Sequence, residues 1–317
     1  MTLSDRLTIG ITTRNRWREL EDTLAVLKGC QFDKVPVVIV DDASSDSWSG
    51  FPQMMSNMRL IRSDIQSGLV AQRNRLATLA TTDYLLSLDD DSYVTEPHQI
   101  ARVIEYLDEH PTVAVAALHV VEPGPPGRPV AGESFGGAAQ DCRSFVGCGH
   151  ILRLSTFRSL GGYRADLFYT CEEIEYSLRL WKSGYRVIIF PEIAVYHSKT
   201  AVSRPLRTNA WYSSRNAVLC WLLHAPWVFL PPLLGRVIAR RLVYGAKSGN
   251  LWPCLAGLWE GLRQAPEMFR AGRPGVLTPA QFSSWQRLPD PLVTSMPIPV
   301  MKKALTNQLP NECQSPV

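Results

Sequence analysis

Tyr84-Leu85-Leu86-Ser87-Leu88-Asp89-Asp90-Asp91 is the stretch that decides the fold: a short apolar run that ends in three consecutive carboxylates. Tyr84 to Leu88 reads as a buried strand, and the acids then lie where an open α/β sheet presents its carboxyl end to ligands. Upstream of it, Gly68 to Ala80 reads as a helix, and Met58 to Arg62, Val35 to Val40 and Leu7 to Thr12 read as strands. A helix with Leu20, Leu24 and Leu27 on one face follows the first of these strands. Downstream, Ile100, Val103, Ile104 and Leu107 fall at i, i+3, i+4 and i+7, the apolar stripe of a helix, before Val113 to Val121 returns to the sheet. Alternation of this kind predicts an α/β sheet flanked by helices.

Two more polar clusters sit at strand ends: Thr12-Thr13-Arg14-Asn15-Arg16 after the first strand, and Asp41-Asp42-Ala43-Ser44-Ser45-Asp46 after the second. No G-x-G-x-x-G follows the first strand and no G-x-x-x-x-G-K-[ST] occurs, so neither a dinucleotide fold nor a P-loop is indicated. Three adjacent carboxylates repel one another unless a cation neutralises them. An isolated acidic triplet would read as a solvated turn that caps the next helix. Placed after a buried strand and beside a second acidic pair, it reads as a site for magnesium or manganese, hard ions that bridge carboxylates to diphosphate oxygens.

Taken together, these segments resemble glycosyltransferase family 2, whose members have the GT-A nucleotide-diphospho-sugar transferase fold. The matching pieces are Ile11 to Arg16, Val38 to Asp46, Gly68 to Asn74, Leu88 to Asp91, Gly149 to Arg153, Phe157 to Tyr163 with Gly161-Gly162, and Glu172 to Arg179. The resemblance implies a Rossmann-like mixed sheet and a metal-dependent, inverting transfer of a hexosyl group from a nucleoside diphosphate sugar to an acceptor hydroxyl. It assigns Thr12, Arg14, Asp42, Arg73 and Asp90 to the nucleotide. It gives Asp89 and Asp91 to a manganese or magnesium ion, with Asp91 the direct ligand, and makes His197 a further metal or diphosphate contact. The base that takes the acceptor proton falls on the second residue of an acidic pair, here Glu173. The family more often has Glu-Asp, whereas this chain has Glu172-Glu173, so Glu172 remains the alternative base. The Q-x-x-R-W motif of processive members is absent, which implies addition of one sugar per encounter, to a polysaccharide or lipid-linked acceptor in cell-surface glycan synthesis.

Composition bounds the remainder. At 317 residues and 45% hydrophobic content the chain can bury a large core. Its seven cysteines are dispersed with no C-x-x-C pair, and no signal-like segment opens the chain, which predicts reduced thiols and a cytoplasmic location. Ten Lys or Arg against two acids between Arg204 and Arg273, with five of the nine tryptophans, leave two readings of 201–273: a peripheral membrane contact, or a helical extension packed on the catalytic domain. No nucleic-acid-binding module is present. The predicted organisation is a catalytic domain at 1–200, this extension at 201–273, and a poorly ordered tail at 274–317, with Pro123 to Gly132 a mobile loop. The competing functional readings are a sugar nucleotidyltransferase, which would carry a glycine-rich loop where Thr12 to Arg16 has no glycine, and a non-catalytic nucleotide-sugar-binding partner.

Overall fold

Leu7, Ile9 and Ile11 alternate with Thr8, Gly10 and Thr12, yet every residue of this strand is buried, as expected where helices cover both faces of a sheet. The computed structural model describes residues 2–45, 55–124, 137–200, 202, 205–270, 273 and 275–296. A short helix α1 (Leu3–Arg6) leads into β1 (Leu7–Thr13), α2 (Trp17–Gly29), β2 (Val37–Asp41), β3 (Met58–Arg62), α3 (Leu69–Leu79), β4 (Tyr84–Asp89) and β5 (Ser92–Tyr93). Then follow α4 (Pro97–Glu109), β6 (Val113–Pro123), β7 (Gln140–Cys142), β8 (His150–Arg153), α5 (Leu154–Ser159), α6 (Glu172–Lys182) and β9 (Arg186–His197). The C-terminal part holds α7 (Leu206–His224), α8 (Leu230–Ser248), α9 (Leu251–Arg263), α10 (Ala265–Arg270), α11 (Pro279–Gln286) and β10 (Val293–Met296).

The sheet runs β3-β2-β1-β4-β8-β6-β9-β5, with β10 beside β6 and β7 beside β9. Strands β1 to β4 are parallel, so the ends of β1, β2 and β4 open on one edge, and antiparallel β8 between β4 and β6 makes the sheet mixed. The predicted stripe of α4 packs as expected, with Ile100, Val103, Ile104 and Leu107 all buried. Each such side chain contributes about 1.5–3 kcal/mol of apolar burial. Strand β9 is longer than the Tyr185 to Phe190 run that periodicity marks. Its pairing with β6 shifts register between Leu118 and His119, which accommodates Pro191 and carries the strand on to His197.

Residues 275–296 correct the expectation of a poorly ordered tail at 274–317, of which 297–317 lie outside the described residues. Thr278 caps α11 by accepting from the Gln281 amide, Phe282 and Trp285 are buried, and β10 pairs with β6 in parallel register. Strand and helix find their partners in distant segments, so local periodicity is too weak to announce them. Asp46 and residues 125–132 of the expected loop lie outside the described residues. Among the described residues no helix is long and apolar enough to cross a membrane.

Candidate active site

The edge formed by β1, β2 and β4 is one wall of a cleft of about 470 Å³, and Thr12, Arg14, Asp42, Asp89 and Asp90 line it. The other wall comes from the C-terminal part: Pro205, Thr208, Asn209 and Tyr212 at the start of α7, with Phe168 and Tyr169. The start of α7 is therefore packed against the sheet and completes the cleft. Asn216 of α7 donates to the carbonyls of Leu167, Tyr169 and Thr170, and Arg215 to that of Asp166. These bonds hold a loop in which Phe168, Thr170 and Cys171 all have positive φ, a conformation costly for side-chain-bearing residues unless the surroundings impose it. The loop ends at Glu172-Glu173. Gly161 and Gly162, with φ of 79° and 68°, make the tight turn before it.

Asp42 does not offer a free carboxylate to the cleft. Its Oδ1 accepts from the Ser67 amide and Gln72 Nε2, both at 2.7 Å, and its Oδ2 accepts from the Gly68 amide at 3.0 Å. It thereby fixes the entry to α3, while Arg14 stays exposed and donates from Nε to the Asp42 carbonyl.

The acidic triplet carries its own counter-ions. Arg16 donates from Nε to Asp90 at 2.7 Å and from Nη2 to Asp91 at 2.5 Å, with both partners buried. Burial and the neighbouring carboxylates still push Asp90 up to about 7 against the opposing pull of Arg16. Arg16 belongs to the first polar cluster, but nothing in the sequence pairs it with the triplet. Asp91, expected from the sequence as the direct metal ligand, has a side chain only 1% exposed, and its Oδ2 also accepts from the Thr200 amide. Asp89 is the more open of the two outer acids, with a side chain 19% exposed. The turn after β4 folds Asp91 back onto Arg16 and leaves Asp89 facing the cleft.

Arg73, expected beside the nucleotide, lies behind the cleft. Its guanidinium is 4% exposed and donates to Asp89 Oδ1 at 2.7 Å and to Glu172, with Glu173 Oε1 3.7 Å away. One cation therefore links the strand-end acid to the acidic pair. Gly147 makes this approach possible, since a Cβ there would stand 2.6 Å from Glu173 Oε1 and overlap the Arg73 guanidinium. Glu172 is fully buried and committed to Arg73, whereas the Glu173 side chain is 23% exposed. Burial, then the charge of Glu172, push Glu173 up to about 8, with Arg73 opposing.

At the end of β9, His197 brings a ring nitrogen to the same focus as Asp89 and Cys148, the three ligand atoms lying within 4.8 Å of one another. Nε2 is buried and makes no hydrogen bond, although Asp91 Oδ1 is 3.3 Å away, while Nδ1 contacts Glu122 at 3.1 Å. Burial works against charge on His197, yet Asp91, Cys148 and Glu122 push it up to about 12, so positive charge is favoured at this focus, whether on the imidazole or on a bound cation. Cys148 carries no motif that would have marked it in the sequence. His150 and His224 are structural: His150 bridges Tyr163 and the Val146 carbonyl, and His224 pairs with buried Glu175.

Comparison with known proteins agrees with this architecture. Residues 8–153 match the family model described as Glycosyl transferase family 2. No curated protein matches the chain in sequence. Among solved structures, GalNAc-T7 with UDP, GalNAc and Mn2+ superposes with a TM-score of 0.57 at 15% identity, over 85% of this chain and 58% of that one. This chain thus spans little more than half of that protein. The mannosyltransferase PcManGT from Pyrobaculum calidifontis, in complex with GDP-Man and Mn2+, gives 0.53 at 17% identity, over 89% and 83% of the two chains. S. aureus TarS 1-349 in complex with UDP yields 0.50 at 16% identity, over 84% and 92%. Residues 8–153 thus resemble glycosyl transferase family 2, and the mixed sheet with its helical C-terminal part has the GT-A fold.

Proposed function

We propose that this protein is a metal-dependent, inverting and non-processive glycosyltransferase that moves a hexosyl group from a nucleoside diphosphate sugar to an acceptor hydroxyl in cell-surface glycan synthesis. The observation that carries the reading is the Arg73 guanidinium, which holds Asp89 of the donor cleft and the Glu172-Glu173 pair on one charge centre. Donor side and base are thereby fixed relative to each other by a buried group. Thr12 and Arg14 line the cleft where a nucleotide would lie, and Tyr212 and Phe168, stacked at 5.0 Å, close it from the helical side.

Asp89, His197 and Cys148 would hold the metal, and their mixed oxygen, nitrogen and sulfur donors suit manganese better than magnesium. When bound, the ion neutralises charge on the leaving diphosphate. Glu173 Oε1 accepts the acceptor's proton as the hydroxyl oxygen attacks the anomeric carbon. Glu172 cannot act as a second nucleophile, because it is fully buried and paired with Arg73, and this favours one displacement with inversion. The acceptor side is best served by a second cavity of about 430 Å³ between α6, α7 and α8, which begins at Cys171 and Ile174 on the turn that carries Glu173. Its walls include Trp221 and Val237 with Arg240 and Arg241, and they suit an acceptor that joins an apolar portion to an anionic one.

A panel of nucleotide sugars tested by thermal shift with manganese identifies the donor, since a ligand specific to the folded state raises its stability. NMR of the product then reads the anomeric configuration. Glu173→Gln should lose about 10²–10⁴ in kcat with donor affinity preserved. A retained anomeric configuration, or a fully active Glu173→Gln variant, overturns the mechanism.

A further inference from the structure

Helix α9 is apolar on two opposite faces. Its inner face is built for close packing, with Cys254, Gly257, Leu258 and Gly261 buried, and a Cβ at Gly261 would stand 2.8 Å from that of Val218 on α7. Its outer face carries Leu251, Trp252, Leu255, Trp259 and Leu262, all exposed, with Trp252 at 73% and Trp259 at 69%. Positions 252, 255, 259 and 262 recur at helical spacing, so these side chains form one continuous stripe directed away from the protein. A water-facing helix surface is ordinarily polar, and a contiguous apolar stripe of this kind marks an interaction site.

The adjoining helix α8 repeats the pattern more weakly. Only Leu230, Leu233 and Gly245 of its 19 residues are buried, and Val243 on its outward side is 55% exposed. Along one flank of that side, Arg236 and Lys247 are exposed and have no ionic partner among the described residues. The one acid between residues 230 and 263 is Glu260, which is already bound to Arg263 at 2.8 Å. The five tryptophans of the basic segment thus divide. Trp221 packs edge-on against Phe282 and Trp285, Trp211 lies under Arg215, and Trp227, though exposed, packs with Phe269 beneath Arg273, whereas Trp252 and Trp259 face outward.

From this placement we propose that the outer face of α8 and α9 docks on a lipid bilayer rich in anionic headgroups. Tryptophan and leucine side chains on a helix lying in the membrane plane enter the boundary between headgroups and acyl chains, and the unpaired cations along their edge meet the anionic headgroups. Charge decides against a second copy of the chain, because a two-fold contact through this face would set the same cations near each other. The proposal is independent of the transfer reaction, and its test needs no turnover.

The full chain is sedimented with phosphatidylcholine vesicles, with and without phosphatidylglycerol. The expected result is co-sedimentation with the anionic vesicles, together with a blue shift of tryptophan emission. Trp252→Ser/Trp259→Ser should lower the partition coefficient by about tenfold or more with an unchanged melting temperature, since neither ring packs inside. Arg236→Glu/Lys247→Glu should lower it on anionic vesicles alone, and raised salt should mimic that change. Equal partition of the wild-type and tryptophan variants, or indifference to phosphatidylglycerol, overturns the proposal. So does a dimer seen by light scattering that the tryptophan pair dissolves while vesicles have no effect, because the face would then belong to a second copy.

Discussion

Replacing Arg73 with Met tests the internal wiring of the site. The guanidinium is buried, and burial works against its charge, yet Asp89, Glu172 and Glu173 together outweigh that penalty and raise it above the ordinary arginine value. Methionine keeps much of the volume and removes the charge, which leaves fully buried Glu172 without its cation. Breaking a buried pair from one side costs about 3–5 kcal/mol. For a chain of this length that corresponds to a fall of about 4–8 °C in melting temperature. The second consequence concerns pH. In the native protein Glu173 lies near 8, so activity should rise with pH through that value as the base ionises. The same shift has the opposite sign for stability. Folded Glu173 holds its proton more tightly than an ordinary glutamate of pKa 4.5, so its contribution to stability falls as pH rises from about 4.5 to about 8. Removing Arg73 should move the activity limb to still higher pH. Arg73→Lys retains the charge without the fork and should fall between the two. Calorimetric melting and a pH–rate profile read both effects. An Arg73→Met protein that melts like the native one and keeps its activity limb near 8 would refute the reasoning.

Asp89→Asn should weaken manganese-dependent nucleotide affinity about tenfold or more by titration calorimetry, because it removes the carboxylate that groups with His197 and Cys148 and is the more open to the cleft. Asp91→Asn should act chiefly on melting temperature, since its carboxylate serves Arg16 and the Thr200 amide; the reverse ranking would restore Asp91 as the ligand. Gly147→Ala forces Arg73 and Glu173 to shift and should reduce kcat more than it lowers the melting temperature, as steady-state kinetics beside a melting curve would show. Asn216→Leu deprives three loop carbonyls of their donor, which should cost about 1–3 kcal/mol in denaturant unfolding and loosen the turn before Glu172, with kcat falling as well.

Much of the N-terminal half was legible because its signals are local. Strands β1 to β4 and helix α4 follow from short-range periodicity, and the turn chemistry after β1, β2 and β4 marks the cleft edge. Strands β8 and β10 were not legible, since each is only four residues long and is stabilised by partners far away in the chain. Within the site, the family pattern reaches Asp89, Glu173 and His197 one residue at a time. What it does not carry is which side chains face one another.

That division has a physical reason. Residue identity and spacing determine by themselves that this chain forms an α/β sheet with acids at its strand ends, because strand and helix periods and the repulsion of adjacent carboxylates are properties of neighbouring residues. Tertiary structure alone decides that Arg16 and Arg73 neutralise the triplet, that Cys148 joins His197 and Asp89, and that α7 supplies the second wall of the cleft. It likewise decides which tryptophans are packed and which form the outer stripe of α9. Each of these depends on groups separated by tens of residues or more, whose approach is fixed only when the sheet order and the packing of the helices on it are fixed.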